Sequence, residues 1–416
     1  MADGKIIRPD KTKSRFFYGY VVVIAAFLIM TVSWAAYNSF GVFFTPIARD
    51  FEWDRAMTSG AFSLSMFIYG ILGVAVGAIN DRFGPRILLT CCGILLGLGY
   101  LLMSQVSTEW QLYIFLGLII GVGMSGVWVP LLSTVAKWFV RRQTLMSGIV
   151  VAGVSIGSLI GPPIISLLVV TYDWHVSYIV IGITVMLLVV IATQFLKNAP
   201  FKIEELPQVK NKAESKSVSP VTKSFSFKKS VCTAPFWLLF GLFFCFGYAL
   251  YGIIVHIVPH AIDMKIAAIT AAGILSLRGL VSISGNYILG SLADRIGNRQ
   301  IFIFGFVMFT AAFLLLIFTE QKWILYLFIV ILGFSGGGMA ASESPITAWL
   351  FGVSSHGLIY GVAHVGFTLG AAISPFLMGY IYDQTNNYQL AFVTCAAFSI
   401  LGALLTIILK PVQKMT

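Results

Sequence analysis

Twelve apolar stretches, each about as long as a helix needs to cross a bilayer, follow one another along this chain and leave few architectures open to it. They cover residues 16–44, 56–79, 86–105, 111–139, 144–170 and 176–196, then 235–262, 267–292, 301–318, 324–350, 358–382 and 390–409. Backbone amides cannot stay unpaired in lipid, so such stretches are predicted to be spanning helices. Only 10% of the 416 residues are charged against 58% hydrophobic, which excludes a soluble globular domain. Forty glycines are expected where helices cross closely or bend. The expected class is an all-α membrane protein of twelve transmembrane helices in two six-helix, pseudo-symmetric bundles.

The net charge of +11 invites a nucleic-acid reading that its placement rejects. With the N-terminus inside, 22 of the 27 Lys and Arg fall in inner segments, and Arg49, Arg55, Lys265 and Lys322 are the only four in outer loops. That bias is the positive-inside rule, and it predicts that both termini are cytoplasmic. No cleavable leader is evident, because the first stretch is too long for a signal h-region and no small-residue cleavage site follows. Lack of an appended domain points to a bacterial inner (plasma) membrane. Cys91, Cys92, Cys232, Cys245 and Cys395 show no metal or redox spacing, so no disulfide, metal or cofactor is expected.

The eighth stretch, AAITAAGILSLRGLVSISGNYILGSLADR from Ala267 to Arg295, carries Arg278 in its middle. A guanidinium at that depth is costly and faces a bundle interior or a water-filled cavity. No Asp or Glu stands within a turn; Ile274 precedes by four residues and Ser282 follows by four. Arg278 therefore reads as an anion anchor, against the alternatives that it pairs with backbone carbonyls or with Glu343 on another span.

The polar segment from Lys197 to Ser230, rich in Lys, Ser and Pro, divides the spans six and six. The predicted organisation is a cytoplasmic tail 1–14, a first bundle 15–197, a cytoplasmic linker 198–230 and a second bundle 231–416. The halves repeat: GAINDRFGPR from Gly77 returns as GSLADRIGNR from Gly290, 213 residues later. GVGMSGVWVPLLSTVAKWF from Gly121 aligns without gaps on GFSGGGMAASESPITAWLF from Gly333. Two parallel repeats imply a substrate site between them near the midplane, reached from alternate sides by rocking.

The doubled G-x-x-x-D-R-x-G-x-R loop resembles the signature of the major facilitator superfamily. That resemblance implies that Asp81, Arg82 and Arg86, with Asp294, Arg295 and Arg299, form a conformational gate at the cytoplasmic side. YGYVVVIAAF from Tyr18 and WFVRRQTLMSGIVVAG from Trp138 are similar to two signatures of its monocarboxylate transporters. The chain departs from the animal members: Asn38 stands where they carry a substrate-binding lysine, and Ser282 and Asn286 where they carry an Asp and an Arg. Relatives of the oxalate–formate exchanger pair an arginine on helix 8 with a lysine on helix 11, whose place here falls on Phe367. One fixed positive charge suits one carboxylate, because a dianion would leave an uncompensated buried charge costing several kcal/mol.

Around Arg278, Asn38, Tyr37, Tyr251 and Ser282 are expected to offer hydrogen bonds, and Phe334 and Phe367 to wall the apolar side. For each of these, packing between helices is the competing reading. His256, His364 and Glu343 are the candidates for proton coupling, Glu343 being expected to pair with a basic residue rather than to carry protons. A metal site at His256 and His260 lacks a third ligand. No nucleophile–base pair or phosphate loop stands at membrane depth, so no enzyme is expected. The expected function is secondary active symport of a small monocarboxylate such as lactate, pyruvate or acetate with a proton. The partners are that anion, the proton and the lipid bilayer, with no nucleic acid. An organic-anion or oxalate/formate-type exchanger and a non-transporting membrane sensor are the alternatives.

Overall fold

A computed structural model describes residues 17–139, 143–197, 227–318, 321–352 and 356–410. Among these, twelve helices are long and apolar enough to cross a membrane. Span 1 is Gly19–Asn38 continued by Phe40–Asp50; span 2 is Arg55–Phe83, span 3 Pro85–Met103, span 5 Gln143–Thr171 and span 6 Trp174–Gln194. Span 4 runs from Glu109 through a π-helical stretch, Tyr113–Ile120, and resumes after a break as Val129–Trp138. Spans 7 to 12 are Ala234–Asp263, Ala268–Ile296, Asn298–Phe318, Lys322–Phe351, His356–Thr385 and Gln389–Ile408. The expected tail 1–14 lies outside the described residues, as does residue range 198–226 of the expected linker.

The two sets of six spans pair in the same way. Spans 1 and 5, 2 and 4, and 3 and 6 pack together in the first set; spans 7 and 11, 8 and 10, and 9 and 12 do so in the second. Between the sets, span 2 lies against span 11 and span 5 against span 8. Small residues make these crossings close. Gly153, Gly157 and Gly161 stand at four-residue steps on span 5, where any Cβ would run into the backbone of span 1 at Phe27, Thr31 and Ala35. Large apolar side chains such as Ile164, Leu187, Leu292 and Ile400 stay exposed on the outer faces, as helices surrounded by lipid require.

The repeated loop has a local cause. Gly84 and Gly297 end spans 2 and 8 with φ of 84° and 96°, a left-handed conformation that a side chain would strain. Each donates its N–H back into the helix, to Asn80 O at 2.9 Å and Ala293 O at 2.8 Å. The next spans can then turn back at once.

The two stretches that resemble monocarboxylate-transporter signatures meet in space. Phe17 lies 5.9 Å from Trp138 and 5.3 Å from Phe139, ring to ring, and Tyr18 lies 5.9 Å from Trp138. Trp138 Nε1 donates to Lys197 O at 2.8 Å and the Tyr18 hydroxyl to Phe195 O at 3.0 Å. This aromatic box ties the start of span 1 and the end of span 4 to the end of span 6.

Candidate functional site

Arg278 stands ten residues along span 8, between two glycine-made crossings. A Cβ on Gly279 would come within 2.8 Å of Ser155 O on span 5, and one on Gly333 of span 10 within 2.9 Å of Arg278 O. Small residues on both sides thus seat this turn of span 8 against spans 5 and 10 without room for adjustment.

The guanidinium is 9% exposed and meets no carboxylate: among the described residues no Asp or Glu oxygen lies within 4.0 Å of it. Its Nη2 donates to Ser158 Oγ at 3.4 Å, and its Nε is buried without a partner. Asn38 Nδ2 donates to the same Ser158 Oγ at 2.8 Å, while Asn38 Oδ1 is buried and unpaired. One turn on, the Ser282 hydroxyl donates to Ser155 Oγ at 3.1 Å and to Gly279 O at 2.8 Å. Spans 1, 5 and 8 therefore converge on a buried cluster in which a guanidinium N–H lacks an acceptor, and an anion would supply one.

Asn38 reaches this place because span 1 breaks there. Its first helix ends at Asn38, the Ser39 hydroxyl donates to Ala35 O at 2.6 Å, and the chain restarts at Phe40. An apolar run gives no warning of that break. Ser158 and Ser155 were equally hidden in the sequence, three residues apart among the glycines of span 5.

The other expected residues distribute unevenly. Tyr251, 5% exposed, lies between Phe62 of span 2 at 6.4 Å and Phe367 of span 11 at 5.8 Å, ring to ring. The Tyr37 hydroxyl instead donates to Ser65 Oγ at 3.1 Å, its ring held by Trp34 and Phe62. Phe334 packs with Leu289, Ala293 and Ile301, nearer the far end of span 8 than Arg278 is. Arg278 does not pair with Glu343. Glu343 Oε2 lies 3.0 Å from His364 Nδ1 and accepts from the Tyr360 hydroxyl at 3.0 Å.

His256 joins a different assembly, at the end of the bundle away from the termini. Its Nε2 lies 2.8 Å from Pro375 O and its Nδ1 3.0 Å from the Tyr388 hydroxyl. That hydroxyl also meets Arg55 Nη1 at 2.6 Å, and Arg55 Nη2 binds Asp263 Oδ1 at 2.9 Å. Asp383 of span 11 accepts from the Arg55 and Ala56 amides at 3.0 and 2.7 Å, capping span 2 from the opposite half. His260 stacks edge-on to Tyr388 and Phe392 and lines a cavity of about 400 Å³ with Asp263, Lys265 and Lys322.

In the repeated loops, the side chains of Asp81, Arg82 and Asp294 lie outside the described ones, and Arg295 is exposed. Arg86 Nε donates to Gln194 Oε1 at 2.9 Å, and Arg299 Nε to Thr406 O at 3.0 Å. Each arginine thus ties neighbouring spans within its own half, span 3 to span 6 and span 9 to span 12. Hydrogen bonds join the two halves at the level of Arg278 and from there toward Arg55.

Comparison with known proteins places this arrangement. The family model described as Major Facilitator Superfamily matches residues 23–285 and 261–415. Monocarboxylate transporter 12 of Mus musculus is 23% identical over 420 residues, covering 96% of this chain and 86% of its own. Monocarboxylate transporter 13 of Rattus norvegicus is 25% identical over 392 residues, 93% of this chain and 87% of its own. For monocarboxylate transporter 11 of Homo sapiens the identity is 25% over 404 residues, with 94% and 82% covered. The crystal structure of a bacterial homologue of the human lysosomal transporter Spinster, inward-facing and occupied, shares the fold: TM-score 0.76 at 14% identity, over 95% of this chain and 97% of that one.

Proposed function

The chain belongs to the Major Facilitator Superfamily, as a multi-pass membrane transporter similar to monocarboxylate transporters, and on that premise we propose that it moves a small monocarboxylate with a proton by alternating access, the anion docking on Arg278. The observation that carries this reading is the buried guanidinium with no carboxylate of the described residues within 4.0 Å and an unpaired Nε. A carboxylate supplies the missing acceptors and takes up the fork of the guanidinium side on, so orientation is fixed along with charge. Ser158 and Asn38 complete the cradle, and the orphan Asn38 Oδ1 suits a hydroxyl on the neighbouring carbon, as in lactate.

The two halves, 15–197 and 231–416, rock about this site. The latch at Arg55, Asp263, Asp383 and Tyr388 closes the end away from the termini, which the charge bias puts in the cytoplasm. A bound anion supplies the acceptor that the guanidinium lacks, so the loaded site can be enclosed without leaving that donor unpaired.

The test is uptake of radiolabelled lactate, pyruvate, acetate and oxalate into proteoliposomes, with and without an inward proton gradient. Gradient-driven uptake of the monocarboxylates, with oxalate excluded, is the expected result. Counterflow with no gradient-driven net uptake would make the chain an exchanger. Binding without any flux would make it a sensor.

A further inference from the structure

Between Glu343, ten residues along span 10 from the crossing at Gly333, and His364 of span 11 lies a feature that anion binding alone does not explain. Glu343 Oε2 and His364 Nδ1 are 3.0 Å apart with side chains only 5% and 13% exposed. The imidazole nitrogen is not aligned for a hydrogen bond in this state, so a buried polar atom waits beside a buried carboxylate. The ring is fixed by stacking on Phe367 at 5.0 Å and on Trp128, from the other half, at 6.3 Å. The Tyr360 hydroxyl on span 11 donates to Glu343, and the Phe367 ring lies against both His364, at 5.0 Å, and Tyr251 of span 7, at 5.8 Å.

Resting on the carboxylate reading of Arg278, we propose that the Glu343–His364 pair is the binding site of the co-transported proton. The argument is one of charge balance in a low dielectric. In the empty site, positive Arg278 is balanced by ionised Glu343 beside a neutral His364. An anion arriving alone leaves one net negative charge in the membrane, and a proton alone one net positive charge. Anion and proton together restore neutrality. Only the empty and the doubly loaded forms can be enclosed without a large cost, and symport follows. The proton comes from the water on the side to which the site is open, forms an O–H or N–H bond within the pair, and leaves to the other side with the anion.

The same arithmetic gives a split phenotype. In Glu343→Gln the anion-loaded form is neutral without a proton, while the empty form keeps the bare charge of Arg278. The loaded form crosses and the empty form cannot return. Counterflow of lactate should therefore persist while proton-driven net uptake is lost. His364→Phe, which keeps the stacking on Trp128 and Phe367, should weaken net uptake more than counterflow.

The experiment has two arms. Sodium lactate is added to the purified full-length protein in weakly buffered detergent solution, and the pH is followed with a dye. The same proteins are assayed in proteoliposomes for counterflow and for gradient-driven accumulation. The wild type should take up a proton for each anion bound, and Glu343→Gln should bind lactate and take up none. Accumulation by Glu343→Gln at the wild-type rate would overturn the proposal. So would loss of both binding and counterflow in a variant that elutes normally on gel filtration, since the pair would then belong to the anion path. If the wild type itself binds none of lactate, pyruvate and acetate, the reading of Arg278 falls before any Glu343 variant is tested.

Discussion

Asn38 and Arg278, from spans 1 and 8, hold one hydroxyl between them: Ser158 Oγ lies 2.8 Å from the Asn38 amide and 3.4 Å from the guanidinium. Both are donors, and one serine oxygen cannot satisfy them together with Arg278 Nε. Removing the serine hydroxyl should therefore loosen the cradle without emptying it. Ser158→Ala is expected to weaken carboxylate binding by about tenfold, the equivalent of one hydrogen bond of ~1.4 kcal/mol. Isothermal titration of the purified protein measures this directly.

Asn38 allows a sharper substitution. Asn38→Asp places a carboxylate beside Ser158, where it competes with the transported anion for Arg278. Lactate binding should fall below detection while the protein folds and reconstitutes normally. Asn38→Leu only removes the amide, so it should impair lactate more than acetate, by about fivefold, since acetate has no hydroxyl to lose. Equal losses for the two acids would remove Asn38 from the specificity argument.

The crossing at Gly333 ties packing to function. A Cβ there meets the Arg278 carbonyl at 2.9 Å, so Gly333→Ala must push span 10 away from span 8 or shift the turn that carries the guanidinium. Misplacing a binding group by a fraction of an ångström harms turnover more than stability. The expected result is a transport rate reduced by about tenfold or more with thermal stability changed by only a few degrees, checked by uptake and by thermal unfolding in detergent.

At the far end, Asp383 caps span 2 across the halves, and Arg55 binds Asp263 and Tyr388. These bonds exist only while that end is closed. Arg55→Ala should shift the population toward the alternate state by about 5- to 10-fold, a change of ~1 to 1.4 kcal/mol. A cysteine at Ser63, beside Phe376 of span 11, reports it in a background without the five native cysteines. Labelling by a membrane-impermeant maleimide should accelerate by that factor.

Much of this was legible in the sequence because lipid imposes a simple rule. Twelve apolar runs became twelve spans, and the two repeated loops became two glycine-terminated turns with φ above 80°. Arg278 stood out because charge is so rare at that depth. What the sequence hid are relations between distant spans. Ser158 is one serine among several, and only the crossing of spans 1, 5 and 8 makes it a shared acceptor. Tyr37 and Asn38 are adjacent and equally polar, but one helical step turns the tyrosine toward Ser65. Phe334 sits beside Gly333, yet that same step sends its ring to Leu289 and Ile301. Arg55, counted only as one of four outer positive charges, proves to be the centre of the latch, since its partners lie 208 and 333 residues away.

The central claim is that Arg278 receives the transported carboxylate, and lactate counterflow in proteoliposomes tests it most directly. Counterflow needs neither a proton gradient nor return of the empty carrier, so it isolates binding and crossing of the loaded site. The wild type should exchange lactate rapidly, Arg278→Lys should do so weakly because the charge remains without the fork, and Arg278→Gln should not exchange it at all. Wild-type counterflow in a folded Arg278→Gln variant would contradict the account.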